Sequence, residues 1–287
     1  MLLLHKIEKT HFSPSEKEII NYVLRNSDQL DDLSIQAIAD ATYTSAPIVV
    51  RAAKKLGLNG WNELKKQLKS EIEYLYASNE IDASIPFVIT DSFVDIANYI
   101  AKLEYETIND TLSLISHDLI YKIMSLLRNT KDIDIYIDGN YSFLADEFAK
   151  KMRIIDYNVN CALIGNDDYL LATKSDSKHC AIIISYFADN ERVYKLCDKL
   201  KAKRIKIIAV TSLTENNLLK HADCIVHMSS RELRYTKIGE FSSSTSLKLI
   251  LDIIYGCIFS TDYEKNLNTR IVVSKEIDNL EIDEESC

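Results

Sequence analysis

The second half of the chain alternates short β-rich runs with amphipathic helical patterns, and this alternation restricts the fold more than any other feature. The runs cover residues 133–137, 159–164, 181–185, 205–210 and 224–228. Residues 181–184 and 207–210 are continuously apolar, which is typical of strands buried on both faces of a parallel sheet. Repeated strand and helix units of this kind predict an open, doubly wound α/β domain with a parallel sheet.

Polar residues follow several of these runs at the point where each predicted strand ends. In a doubly wound sheet, ligands bind beyond the carboxyl ends of the strands. Hydroxyls and backbone amides at the following helix N-termini favour an anion such as a phosphate. The same residue types also serve as plain helix caps, so both interpretations stay open. The residues concerned are Gly139, Asn140, Ser142, Ser185, Asn190, Thr211 and Ser212.

Residues 34–60 have the pattern of a helix-turn-helix. Ser34 can cap a short first helix, and small or polar residues up to Thr44 supply a tight turn. Ser45 and Pro47 suit the start of a second helix, and Gly57 is placed to end it. The apolar positions of the second helix recur at helical spacing and would pack on the first helix, namely Val49, Ala52, Ala53 and Leu56.

Charge supports this interpretation locally although not over the whole chain. The formal net charge is -9, which by itself argues against a nucleic-acid-binding protein. Residues 44–70, however, contain six Lys or Arg and one Glu, so 6 − 1 gives +5. Phosphate contacts depend on such nearby charge, although an ordinary solvated face would look similar. We expect DNA contacts from Thr44, Ser45, Ile48, Arg51, Lys54, Lys55 and Lys65, with Arg51 and Ser45 in the groove and the three lysines on phosphates.

Residues 1–77 resemble the N-terminal domain of the RpiR/MurR family of bacterial transcription regulators. The resemblance rests on the order of two phrases, SIQAIAD and TSAPIVVRAAKKLGLNGWNELK. Relatives usually have hydroxyl residues early in the recognition helix, where this chain has Ile48 and Val50. Fewer hydrogen bonds to base edges are therefore expected, although an apolar side chain can contact a thymine methyl. Trp61, just after this helix, is expected to anchor the core.

Residues from about 115 to 265 are similar to a SIS domain, the sugar-isomerase fold that binds phosphosugars. The phrases that carry this likeness are IYIDGNYSFLADEFAKKM, IIISYFADNERVYKL, IIAVTSLTENNLLKHADCIVHM and KIGEFSSSTSLKLILDIIY. The resemblance implies a regulator whose affinity for an operator changes when a phosphorylated sugar occupies the second domain. It adds Ser243 to the candidate phosphosugar-binding residues.

One loop departs from the SIS pattern. Many SIS domains read Ser-x-Ser-Gly-x-Thr after the third strand, whereas here only Ser185 matches and Phe187, Ala188 and Asn190 occupy the other places. Ser244 stands where relatives often have an Arg. Three possibilities follow: an altered pocket in which Ser142, Ser185, Asn190 and Ser243 hold the anion, a different effector, or loss of effector binding.

The sequence thus predicts an all-α helix-turn-helix domain followed by an α/β doubly wound SIS domain. We expect the DNA-binding domain at 1–77, a linker at 78–90 that contains Pro86, the SIS domain at 91–270 and an acidic tail at 271–287. The expected partners are a double-stranded DNA operator, a phosphorylated sugar and further copies of the chain in a homodimer or homotetramer.

Several classes of protein are disfavoured. The six cysteines are scattered without a CxxC pair, and the six glycines are too far apart for GxGxxG or a Walker loop, so we expect no metal and no cofactor. The N-terminus becomes charged too soon for a signal peptide, and no apolar run approaches the ~20 residues that a bilayer helix needs. We therefore expect a cytoplasmic protein without a membrane partner.

An isomerase is the enzymatic alternative. Its acid and base would have to come from Glu240 and from His227 or His221. Glu240 in the first turn of a helix and histidines near strand or helix ends have simpler structural explanations. We expect a regulator that is not an enzyme, while an isomerase, or a SIS domain that only oligomerises or contacts other proteins, stays as an alternative.

Overall fold

The computed structural model describes residues 3–76, 81–128, 130–213 and 217–284. The chain forms two compact units. The first contains residues 1–103 and 231–240, and the second contains residues 104–230 and 241–287. Residues 81–90 of the predicted linker contain no helix or strand, and its residues 78–80 lie outside the described part of the chain.

The first unit begins with five α-helices that surround one hydrophobic core. They are α1 (Leu3–Lys9), α2 (Pro14–Arg25), α3 (Ile35–Ala41), α4 (Ala46–Lys55) and α5 (Trp61–Tyr76), with a 3-10 helix at Ser27–Asp32. Trp61 is only 4% exposed, and its ring N–H donates to the carbonyl of Leu33 at 3.1 Å. The prediction that Trp61 anchors the core is confirmed.

Two further helices, α6 (Phe93–Ser113) and α7 (His117–Leu127), precede the sheet, and the boundary between the units falls inside α6. The alternating elements that follow are β1 (Asp132–Asp138), α8 (Ser142–Ile154), β2 (Asn158–Leu163), α9 (Asp168–Lys174), β3 (His179–Ser185), α10 (Glu191–Ala202), β4 (Lys206–Ser212) and β5 (Cys224–Met228). The chain ends in α11 (Phe241–Ser260) and α12 (Tyr263–Glu284).

The five strands form one parallel sheet in the order β2-β1-β3-β4-β5. Hydrophobic cores cover both faces, as the apolar runs predict. Because successive side chains of a strand point to opposite faces, Ile182 and Ile184 of β3 join one core while Ala181 and Ile183 join the other. The predicted fold, a helical domain followed by a doubly wound parallel sheet, is confirmed.

Helix α11 corrects one expectation about apolar runs. Within the described residues it is the one helix long and apolar enough to cross a membrane by length and composition. Leu247, Ile250 and Ile254 on this helix belong to a sheet core, a location in which helices of soluble proteins are equally apolar. In the predicted acidic tail, α12 continues to Glu284, and residues 285–287 lie outside the described part.

Candidate DNA-binding and ligand-binding sites

The turn between α3 and α4 is closed by local hydrogen bonds. The Ser34 hydroxyl caps α3 by accepting from the Ala37 amide at 3.0 Å. After α3, the Thr42 hydroxyl donates to the Ile38 carbonyl at 2.7 Å and lies 2.9 Å from the Thr44 hydroxyl. Ser45 occupies the N-cap of α4 but makes no capping bond with its side chain, so its exposed hydroxyl points to no backbone amide of the helix.

Helix α4 buries one face and exposes the other, as the spacing predicts. Val49, Ala52 and Ala53 are buried, whereas the Arg51 side chain is 65% exposed. Gly57 follows the helix with φ +80, a left-handed conformation that glycine adopts without strain and that often ends a helix. The helix, turn and stop are therefore those of a helix-turn-helix with α4 in the recognition position.

A buried carboxylate lies beneath the basic end of α4. The Glu16 side chain is 3% exposed and its Oε2 lies 2.7 Å from Lys55 Nζ, while its Oε1 lies 3.7 Å from Arg51 Nε. The Ser13 amide also donates to Glu16 Oε2 at 2.8 Å, in the capping box that begins α2. These bonds, first the one from Lys55, lower the pKa of Glu16 to about 2. The sequence shows the capping box, but not that its Glu pairs with α4.

The predicted DNA-binding cations therefore differ in their surroundings. Lys55 Nζ bonds to Glu16 and to the His11 carbonyl at 3.2 Å, and Lys65 Nζ donates to the Asp31 carbonyl at 2.7 Å. Lys54 is exposed and has no ion pair in the described part of the chain. Ile48 is half-buried against the helical core, so only part of its side chain faces outward.

Tyr43 was not among the predicted residues, although it lies in the turn just before α4. Its side chain is 98% exposed, and its φ of 51 places a non-glycine residue in the left-handed region. That conformation costs roughly 1–2 kcal/mol for an L-residue. An exposed aromatic ring on a strained turn is a common property of binding surfaces. In the sequence, only its position between two threonines of the turn marks it.

In the second unit, strand order brings two of the predicted loops together. Strand β1 lies between β2 and β3, so the chain leaves β1 on one side and returns on the other, which creates a topological switch point. Gly139, Asn140 and Ser142 follow β1, and Ser185 and Asn190 end or follow β3, at the same edge of the sheet. The other three candidates, Thr211, Ser212 and Ser243, are fully buried.

The geometry at this edge adds a residue that sequence reasoning missed. Asp138, the last residue of β1, is the register partner of Ser185 on β3. Its Oδ2 accepts from the Ser185 hydroxyl at 2.7 Å, and its Oδ1 accepts from the Asn190 side-chain amide at 3.1 Å. Asn190 also caps α10 by accepting from the Arg192 amide at 3.0 Å. The Asp138 carboxylate therefore accepts the hydrogen bonds that Ser185 and Asn190 were expected to donate to a phosphate.

Charge at this edge has the same sign as a phosphate. Residues 138–143 and 185–191 contain three acidic residues, Asp138, Asp189 and Glu191, and no Lys or Arg. In the sequence, Asp138 reads as the last residue of a strand, so the predicted loop begins at Gly139 and does not include this carboxylate. An anionic ligand here would depend on backbone amides and hydroxyls, because these two segments supply no cation.

The residues considered for an isomerase have other partners. His227 Nδ1 lies 3.1 Å from the Ser212 carbonyl, and His221 Nδ1 lies 3.2 Å from Asp198 Oδ1. Glu240 lies immediately before α11 and not within its first turn, and its Oε1 is 3.6 Å from Lys237 Nζ. His227 therefore lies at hydrogen-bond distance from a carbonyl and Glu240 pairs with a lysine, whereas the buried His221 Nδ1 lies beside a carboxylate without a hydrogen bond.

Comparisons with known proteins agree with the two units. A model described as the helix-turn-helix domain of the rpiR family matches residues 1–74, and a SIS domain model matches residues 126–251. An uncharacterized HTH-type transcriptional regulator of Clostridium perfringens is 26% identical over 278 residues, 94% of this chain and 98% of that protein. One of Caldanaerobacter subterraneus is 25% identical over 255 residues, 88% of either chain.

Solved structures share the fold. The NanR protein of Vibrio vulnificus, complexed with ManNAc-6P, aligns over 97% of this chain and 98% of its own with a TM-score of 0.60 and 17% identity. The sugar isomerase domain of an RpiR transcription factor from Sphaerobacter thermophilus covers 63% of this chain and 98% of its own, with a TM-score of 0.55 and 12% identity. The chain therefore combines a helix-turn-helix domain of the rpiR family with a SIS domain, and its relatives are named HTH-type transcriptional regulators.

Proposed function

We propose that this protein is a cytoplasmic, sequence-specific regulator of sugar or amino-sugar metabolism, and that a phosphosugar bound to its SIS domain changes its operator affinity. The observation that supports DNA binding best is the exposed face of α4, with Ser45 at its N-cap and Arg51 and Lys54 along it. The ManNAc-6P held by the structural neighbour supports a phosphosugar as effector class.

On DNA, the N-terminal part of α4 enters the major groove. Ser45 and Arg51 contact base edges, with Thr44 and Ile48 beside them, and Lys54 meets a phosphate. A homodimer or homotetramer presents two such helices to a roughly palindromic operator, with half-sites about one helical turn (~34 Å) or a multiple apart.

The effector binds at the sheet edge where β1 and β3 end. Gly139, Asn140 and Ser142 at the start of α8, and the loop from Ser185 to Asn190, provide the amides and hydroxyls. The ligand shifts DNA affinity only as far as it binds one conformational state better than another. No catalytic group is assigned, and the protein is proposed to act by binding alone.

The experiment that tests this function is fluorescence anisotropy with the protein's own upstream DNA at fixed salt. Titrations are run without ligand and with a panel of hexose and amino-sugar phosphates. Tight binding that one phosphosugar changes is the expected result. Binding that no compound changes would leave a DNA-binding protein without the proposed effector, and absence of binding would contradict the regulator itself.

Two variants separate the expected contacts. Arg51→Ala should weaken operator binding by ~1–3 kcal/mol and relax sequence preference, because a base contact is lost. Lys54→Ala should weaken binding to every sequence and reduce the salt slope by about one. Equal operator affinity of Arg51→Ala and wild type would remove Arg51 from the groove.

A further inference from the structure

We infer that Glu16 is a positioning residue for DNA recognition: it keeps Lys55 away from the phosphates and orients Arg51 on the exposed face of α4. The inference rests on the proposed DNA-binding function. Glu16 belongs to α2 and Lys55 to α4, 39 residues later, so the contact joins the recognition helix to its support.

The first step concerns Lys55. Its ammonium lies 2.7 Å from Glu16 Oε2 and 3.2 Å from the His11 carbonyl, so two acceptors of the protein already hold it. Moving this ammonium to a phosphate would leave a carboxylate that is 3% exposed without its main partner. Breaking such a pair is strongly unfavourable, because the remaining charge is poorly solvated. Lys55 therefore stays with Glu16 when DNA binds.

The second step concerns Arg51. Its Nε lies 3.7 Å from Glu16 Oε1, on the side of the guanidinium nearest the helix. The side chain is nevertheless 65% exposed, so its terminal N–H groups remain available. The contact with Glu16 is an ion pair without a hydrogen bond, and its attraction favours guanidinium orientations that keep Nε near Glu16, which reduces the entropy lost when the outer fork binds a base edge.

Both effects of Glu16 raise the sequence specificity of DNA binding. Phosphate contacts strengthen binding to every sequence, whereas contacts to base edges distinguish one sequence from another. Glu16 removes one potential phosphate contact and improves one base contact. It therefore lowers general DNA affinity and raises the ratio of operator to non-operator binding, which makes it a specificity-determining residue that does not itself touch DNA.

The test measures anisotropy at several salt concentrations with the full chain, on the operator and on a scrambled duplex of the same length. Glu16→Gln should steepen the dependence of log K on log salt by ~0.9 on both duplexes, since Lys55 becomes free to meet one phosphate. The ratio of operator to scrambled affinity should fall about 5-fold, the low end for loss of a base contact.

Neighbouring lysines provide the matched control. Lys54→Met should make the slope shallower by ~0.9, whereas Lys55→Met should change it far less. The double variant Glu16→Gln/Lys55→Met should return to the wild-type slope, because no freed lysine remains. Lys55→Met alone leaves the buried Glu16 carboxylate without its main partner, whereas the double variant has no unpaired buried charge and therefore serves if Lys55→Met folds poorly.

Three results would overturn the inference while the regulator stands. They are equal slope changes for Lys54→Met and Lys55→Met, an unchanged slope for Glu16→Gln, or a steeper slope that persists in the double variant. If the role of Glu16 were merely structural, Glu16→Gln would lower the affinity for both duplexes equally and leave the salt slope unchanged. Absence of binding by the wild-type protein to either duplex would instead overturn the proposed function, and this inference with it.

Discussion

The hydroxyl of Ser185 donates a hydrogen bond to Oδ2 of Asp138 at 2.7 Å, between two residues that face each other across neighbouring strands. Ser185 is the residue that matches the first serine of the SIS phosphate loop. In this protein its hydroxyl donates its hydrogen bond to the Asp138 carboxylate. If a phosphosugar binds at this edge as proposed, its phosphate meets a negative charge, and its affinity is lower than the backbone of the site would otherwise allow.

Asp138→Asn should increase phosphosugar affinity by about tenfold. The amide oxygen still accepts from Ser185, the Asn190 amide loses its acceptor, and one charge repulsion is removed, which at several ångströms corresponds to ~1.4 kcal/mol. Isothermal titration calorimetry with one hexose 6-phosphate measures the change. Asp118→Asn on α7 is the control, because that carboxylate is fully exposed and makes the same change in net charge. Equal affinities for all three proteins would place the phosphate away from Asp138.

Tyr43→Gly should separate stability from function. Glycine relieves the left-handed backbone at φ 51, so thermal stability should stay equal or rise slightly, by up to ~1 kcal/mol. Operator affinity should fall, because the exposed ring beside α4 is lost. Asp156→Gly is the matched control, since Asp156 also has a positive φ, 65, but lies in the sheet domain. It should stabilise the protein without changing DNA affinity. Unchanged affinity of Tyr43→Gly would remove Tyr43 from the interface.

The features that sequence predicted correctly are local or periodic. Ser34 caps α3 through an amide three residues away, and Gly57 ends α4 through its own backbone. The apolar run 181–184 reads as a buried strand because its period is fixed by the pleat. Such signals need no knowledge of distant parts of the chain.

The contacts that modify the two sites are distant in sequence. Asp138 and Ser185 are 47 residues apart, and Glu16 and Lys55 are 39 residues apart. Helical spacing alone predicts that Lys55 is a solvent-facing cation. Periodicity identifies the exposed face of α4, but it does not show that Glu16 of α2 pairs with a lysine on that face. Sequence alone identifies Asp138 only as the end of a strand, whereas the order β2-β1-β3 places it beside the segment that follows β3.

Acid should destabilise the helix-turn-helix unit through Glu16. Its pKa is lowered from 4.5 to about 2, with Lys55 as the main cause, so the folded state prefers the charged form. The stabilisation is present above about pH 4.5 and is lost as pH falls toward 2. Lys55 and Arg51 are the cations that face Glu16.

Fluorescence of Trp61, the single Trp of the chain, reports on this unit alone. The urea midpoint of the wild type should fall toward that of Glu16→Gln as pH is lowered from 6 to 3. Other carboxylates with lowered pKa values, such as Asp31, titrate in both proteins, so the difference between them isolates Glu16. A difference that is constant over this range would mean that the charge of Glu16 contributes nothing.

Ser246 and Thr111 should be coupled energetically, because their hydroxyls share protons in a buried chain between α11 and α6. The Thr111 hydroxyl lies 2.7 Å from the Thr107 carbonyl and 2.8 Å from the Ser246 hydroxyl. A hydroxyl has one proton, and a carbonyl only accepts, so Thr111 donates to Thr107 and Ser246 donates to Thr111. Ser246 also accepts from the Ser229 amide at 3.0 Å, and all these side chains are fully buried.

Because of this donor order, Ser246→Ala and Thr111→Val should lower the free energy of unfolding by different amounts. Ser246→Ala leaves the buried Ser229 amide without its acceptor and should cost ~2–3 kcal/mol, whereas Thr111→Val keeps that bond and should cost ~1–2 kcal/mol. The double variant should cost ~1 kcal/mol less than the sum, because the shared bond is lost only once. Urea unfolding followed by circular dichroism gives the three values, and Ser125→Ala, at an exposed position of α7, is a control expected within about 0.5 kcal/mol of wild type. Additive costs would mean that the two hydroxyls do not bond to each other.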